Sequence, residues 1–238
     1  MLTESVVRFQ AQAMGEIFPA SGPVRVKIVG KRDQDKLEQG QRVENEMNYL
    51  LTEEITEYRD ETEQMLFRLP LAGSSFKKVY YDPIMERPCA MFVPAEDFVI
   101  SYGVSDLMTA PRYTHIMKKT PNEIIELQVN GFYADVELPT PEPDISDIQE
   151  KYDEIDGETA VIEEDDRHTI LEMHVDLDLP EPFNDPDGIA RPYIVTIDKS
   201  SLTILSIRRN WYEEDQKKRK RQHFVHYRYL PGLGFYGT

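Results

Sequence analysis

Apolar residues fall at helical spacing in the first third of the chain and at strand spacing in the last third. Val6, Phe9, Ala13, Met14 and Ile17 recur at three- and four-residue intervals behind Thr3 and Glu4. That pattern predicts an amphipathic helix with its N-cap at Thr3 and its end before Pro19. After a turn over residues 19–22, Val24, Val26 and Ile28 alternate with Arg25 and Lys27, and Gly30 closes what reads as a strand burying one face. Residues 41–69 contain no Gly or Pro, and Val43, Met47, Leu50, Leu51, Ile55, Tyr58, Met65 and Leu66 keep mainly helical spacing. One long helix or two abutting ones are expected there, stopping at Leu69-Pro70 or at Gly73.

β-rich runs over residues 76–81, 89–93 and 98–102 follow, separated by Asp82-Pro83 and Arg87-Pro88, and predict a hairpin or meander. Thr120, Pro121 and Glu123 then supply N-cap, N1 and the N3 arm of a capping box, with Gly131 at the C′ position, so a helix is expected over 121–130. Residues 170–179, 193–197 and 203–207 alternate strictly, Asp198-Lys199-Ser200-Ser201 reads as a hairpin loop, and residues 224–230 form a fourth strand. With strands in consecutive groups and no regular βαβ alternation, the fold class is α+β: N-terminal helices followed by mainly antiparallel β-sheet. The expected divisions are a helical part with one short strand over 1–75, a β-meander plus one capped helix over 76–138, an acidic linker or exposed loop over 139–167, and an antiparallel β region over 168–238.

Charge changes this picture at one place. Residues 142–166 hold twelve acids against Lys151, which accounts for −11 of the net −17. The pI of 4.7 therefore describes one stretch more than the folded body, and that stretch is too polar to offset its own ordering entropy. Cys89 is the single cysteine, so an internal disulfide and a thiolate-rich metal site are excluded, as fits a reducing compartment. The first residues carry no basic and apolar signal-peptide pattern, and no run approaches the roughly 18 apolar residues of a membrane span. The expectation is a soluble protein with no membrane partner.

Few residues suggest chemistry. Gly232-Leu233-Gly234-Phe235-Tyr236-Gly237 matches a dinucleotide fingerprint formally, but that mechanism needs a following helix N-terminus and an acid about 20 residues on. A Pro-Gly turn with aromatic packing is expected instead. Gly73-Ser74-Ser75-Phe76-Lys77-Lys78 sits in helix, loop, strand order, the reverse of a phosphate loop. Period two puts Glu172, His174, Asp176 and Asp178 on one face of a strand, opposite Leu171, Met173, Val175 and Leu177. A hard divalent ion could be held there, yet metal sites usually gather ligands from several elements, so the expectation is a solvated polar face and no metal. Lys217, Lys218, Arg219, Lys220 and Arg221 form the one strong basic run, a candidate nucleic-acid or partner contact. Glu213-Glu214-Asp215 beside it would neutralise part of it in an exposed hairpin loop, and no aromatic-interleaved basic platform is evident. No nucleophile elbow, zincin motif or cysteine-histidine spacing is present, so no catalytic residue and no cofactor is expected.

Several stretches resemble the portal protein family of tailed bacteriophages, in the branch found in short-tailed (podovirus-type) phages. They are Arg8-Phe9-Gln10-Ala11-Gln12-Ala13 with Glu16-Ile17-Phe18-Pro19, Glu44-Asn45-Glu46-Met47-Asn48-Tyr49-Leu50, the passage over residues 71–82, Val93-Pro94-Ala95-Glu96-Asp97-Phe98, and the closing stretch over residues 223–237. The similarity spans most of the chain and its motifs are structural. The resemblance implies a subunit of a ring, usually of twelve copies, at one capsid vertex. Through that ring the terminase motor drives double-stranded DNA, and to it tail adaptors later bind. It implies a conduit with no ATPase activity of its own. Major capsid and scaffolding proteins would be further partners, in the virion and, during assembly, in the host cytoplasm. The chain would be the wing region, leading towards a stem beyond it. Two other readings remain beside it: a metal-dependent enzyme built on the His174 strand, and a module whose acidic tract recruits a basic partner.

Overall fold

The computed structural model describes residues 2–141, 167–183, 187–232 and 234–237. The acidic stretch 142–166, expected to be a linker or exposed loop, lies outside the described residues. The fold is α+β, with four α-helices and two antiparallel sheets of three and five strands among the described residues. The chain divides into two compact units, one from residues 1–96 and 222–238, the other from 97–221.

In the first unit, α1 (Leu2–Ile17) turns Phe9, Ala13, Met14 and Ile17 onto a core of Met65, Leu66 and Phe92. Helix α2 (Gln34–Tyr49) starts seven residues before the expected tract, because Asp33 caps it by accepting from the Lys36 N–H, and it tolerates Gly40 inside. A π-helical turn, Leu50–Glu54, interrupts the tract before α3 (Tyr58–Ala72), so two abutting helices are formed. Pro70 is accommodated in the last turn of α3, and Gly73, at φ +72°, ends it with its N–H on Leu69 C=O. Strands β1 (Ser74–Asp82) and β2 (Arg87–Pro94) form the expected hairpin. β1 also pairs with β8 (Phe224–Arg228), from Ser74 opposite Arg228 to Lys78 opposite Phe224.

The second unit holds β3 (Phe98–Ile100), β4 (Arg112–Lys119), α4 (Pro121–Val129), β5 (His168–Leu177), β6 (Arg191–Asp198) and β7 (Ile204–Arg209), with the strands in that spatial order. Helix α4 has the capping box in full: Thr120 Oγ accepts from Glu123 N–H, and Glu123 accepts from Thr120 N–H at 2.7 Å. It packs Ile124 and Leu127 against Tyr133, Ile170 and Leu205 on one sheet face. Each fully buried side chain of this kind contributes ~1.5–3 kcal/mol.

Three expectations are corrected here. Residues 24–29 are not in a ladder: their strand-like alternation is met by α2, whose Asn48 and Glu44 side chains bond the backbone of Val24 and Val26. The 98–102 run does not extend the β1–β2 meander but starts the other sheet. The last β region is not one body, since β5–β7 belong to the second unit whereas β8 crosses to β1. Strand pairing over some 150 residues of separation leaves no local signature.

Candidate functional site

The basic run lies in the loop after β7. Its base is closed by two residues, with Arg221 N–H on Asn210 C=O at 3.0 Å and Asn210 Nδ2 on Arg221 C=O at 3.4 Å. Asp215 organises the interior. Its carboxylate accepts from Lys217 N–H, Arg219 N–H and Arg219 Nε at 3.1, 3.1 and 2.9 Å, and the Arg219 bond is the main reason its carboxyl sits below the usual range. Lys218 adopts φ +48° at this turn.

The five cations consequently point to different surroundings. Lys217 and Arg219 are exposed, and Arg219 is paired with Asp215. Lys218 lies 5.8 Å from the Trp211 ring, and Arg221 stacks 4.3 Å over Tyr212. Lys220 turns inward: its ammonium donates to Ala110 C=O at 2.7 Å, 5.0 Å over the Tyr113 ring, and burial lowers its pKa. Aromatic rings therefore do lie beside the run, at Trp211, Tyr212 and the buried Tyr113. Trp211 and Tyr212 follow β7 after Asn210, and the signal was their position on the far side of the same loop. The structure does not align the five cations as a single stripe.

The His174 row also differs from expectation. His168, Ile170 and His174 on β5 are buried, so this face points into the second unit, while Leu171, Met173 and Val175 are half-buried on the other. Asp176 and Asp178 alone in the row are exposed. A polar face is tolerated inside because its groups have partners. The His174 ring stacks on Tyr113 at 4.8 Å, its Nε2 lies 3.1 Å from Glu172 Oε1, and its Nδ1 lies 3.5 Å from Asn210 Nδ2. Asn210 thus ties the buried histidine to the base of the basic loop. Among the described residues, no group of three or more His, Cys, Asp or Glu is placed to hold a metal ion.

The glycine-aromatic close of the chain packs as an aromatic turn. Phe235 is buried and stacks on His226 at 4.4 Å and Phe76 at 5.9 Å, and the Gly237 N–H donates to Ser74 Oγ at 2.7 Å. Sequence reasoning missed Ser74 and His226 as partners, 3.1 Å apart, because they meet only through the β1–β8 pairing.

Compared with known proteins, the chain matches no protein-family model and no curated protein.

Proposed function

We propose that this chain is the wing region of a portal subunit of a short-tailed bacteriophage, a structural part of the ring that conducts double-stranded DNA at the capsid vertex and receives terminase and tail adaptor. On this reading it has no catalytic activity and works in the virion. The resemblance of its motifs supports the reading, and the state of α2 is the structural observation that favours it. That helix buries no residue, and Leu37, Val43 and Met47 on it remain 48%, 54% and 39% exposed. A helix of four turns in a self-sufficient domain normally sinks an apolar stripe into a core. A ring subunit joins its neighbours head to tail through two different patches and keeps such a surface for the next copy.

The test is absolute mass by light scattering on a sizing column, for this chain and for one continuing past Thr238 into the stem that the resemblance implies. The longer chain should form one discrete large ring, and Val43→Lys with Met47→Lys should reduce it to monomers. Compact monomers from both chains at all concentrations would remove the ring reading.

A further inference from the structure

Residues 24–29 and α2 combine into an unusual edge. Asn48 Oδ1 accepts from Val24 N–H at 2.9 Å, Asn48 Nδ2 donates to Val24 C=O at 3.1 Å, and Glu44 Oε2 accepts from Val26 N–H at 3.0 Å. Asn48, Glu44 and Gly40 are one helical turn apart, about 6 Å per four residues. Val24, Val26 and Ile28 are two residues apart, about 6.6 Å in an extended chain. The two repeats match, so the segment runs antiparallel to α2, and its extended course is held by side chains in place of a neighbouring strand. At Gly40 the missing side chain leaves room for Val26 and Ile28, whose methyl carbons lie 3.4 and 3.8 Å from where a Cβ would be.

Backbone groups alternate sides along an extended chain, so those of Arg25, Lys27 and Val29 face away from Asn48 and Glu44. Among the described residues none of these three has a backbone hydrogen bond, and all three are exposed, Val29 to 90%. The result is one open backbone edge, tied to α2 through Asn48 and Glu44, with Arg25 and Lys27 on it and Lys31 and Arg32 just beyond.

We propose that this edge binds an extended acidic peptide segment by strand addition. Main-chain bonds to Arg25, Lys27 and Val29 would supply affinity, and acids opposite Arg25 and Lys27 would supply selection. Charge decides the occupant. Antiparallel pairing with the same segment of a second copy would set Arg25 and Lys27 against like charges, which destabilises a strand pair. The inference does not depend on the ring reading, because it rests on this edge alone.

The experiment titrates the chain with a fluorescent peptide of alternating valine and glutamate and follows amide hydrogen exchange at residues 24–29. Saturable binding that weakens with salt is expected, with new protection at Arg25, Lys27 and Val29 and none added at Val24 or Val26. Lys27→Pro removes an outward donor together with one cation while sparing the bonds to Asn48 and Glu44, and should weaken binding about tenfold or more. A peptide N-methylated at alternate residues should lose as much. Arg25→Glu with Lys27→Glu, which leaves the backbone intact, should abolish binding and admit a lysine peptide. Absence of binding overturns the proposal. So does binding that Arg25→Glu with Lys27→Glu abolishes but N-methylation of the peptide leaves unchanged, which would be charge attraction only. Protection of the edge that rises with protein concentration and needs no peptide would assign it to a second copy, and would overturn it as well.

Discussion

Asn48 holds Val24 by both of its backbone groups, replacing a neighbouring strand with one carboxamide. Two part-buried neutral hydrogen bonds are worth about 0.5–1.5 kcal/mol each. Asn48→Ala should therefore detach the segment locally, with amide exchange at Val24 and Val26 rising tenfold or more. The melting of α1, α3 and the three-stranded sheet should change little. Asn48→Asp keeps the acceptor and loses the donor, and should fall between the two. Exchange rates resolved by residue check this directly.

Gly40 provides the counterpart on the same face. Its φ is not in the left-handed region, and a Cβ there would make ordinary contact with Val26 at 3.4 Å. A mid-helix glycine costs roughly 1 kcal/mol relative to alanine. Gly40→Ala should thus stabilise α2 by about 0.5–1 kcal/mol, whereas Gly40→Leu should push Val26 and Ile28 off the helix. Circular dichroism and exchange at Val26 distinguish the two variants.

Local signals were legible in proportion to how local they are. Helix α4 was readable to within a residue because Thr120, Pro121 and Glu123 carry the cap among themselves. Strand β4 carries no clean alternation in the sequence, because its inward side chains include His115, which is polar though buried. The basic run was readable as a loop. The inward turn of Lys220 was not, since a lysine stem lies along apolar surface only when something like Tyr113 is brought beneath it. Likewise the His174 face is polar by composition and becomes interior only because Tyr113 and Asn210 arrive from elsewhere to satisfy it.

Lys77 makes the stability of the chain depend on pH. It is buried on β1, with its ammonium 4.0 Å over the Tyr58 ring and bonded to Thr62 Oγ, and burial lowers its pKa from 10.5 to about 8 against a smaller opposing pull from Glu61. Below about pH 8 both folded and unfolded chains carry the proton, and the folded one bears the desolvation cost. Between about 8 and 10.5 the unfolded chain holds more protons than the folded one, so this residue's contribution to stability rises with pH. Lys77→Met should accordingly stabilise the chain at pH 7, and its advantage should shrink steadily towards pH 10. Paired urea melts of the two proteins across that range cancel the titration of the tyrosines.

In the basic loop, Asp215 is the group that sets conformation. Asp215→Ala removes the acceptor shared by Lys217 N–H, Arg219 N–H and Arg219 Nε. Trypsin should then cut after Lys217, Lys218 or Arg219 several-fold faster, while the unfolding midpoint moves little. Arg219→Gln removes only the side-chain partner, and should leave the turn and most of the protection in place. Equal cleavage rates in parent and Asp215→Ala would mean that the turn is held by other contacts.

The closing aromatic turn is held by a position that admits only glycine. A Cβ on Gly237 would run into the Gly73 carbonyl and stand 2.8 Å from Leu230 O, both backbone atoms that cannot swing aside. Gly237→Ala should lift the tail, break the Gly237 N–H bond to Ser74 and withdraw Phe235 from Phe76 and His226. Phe235→Ala removes the ring but keeps the backbone bond, and truncation of a buried phenylalanine typically costs about 3–5 kcal/mol. If the ring is what anchors the tail, the two variants should lose similar stability and combine with little further loss, since each already frees the same contact. If the losses add, the Ser74 bond and the aromatic stack are independent restraints on β1 and β8. Denaturant melts of the two single variants and the double variant separate these cases.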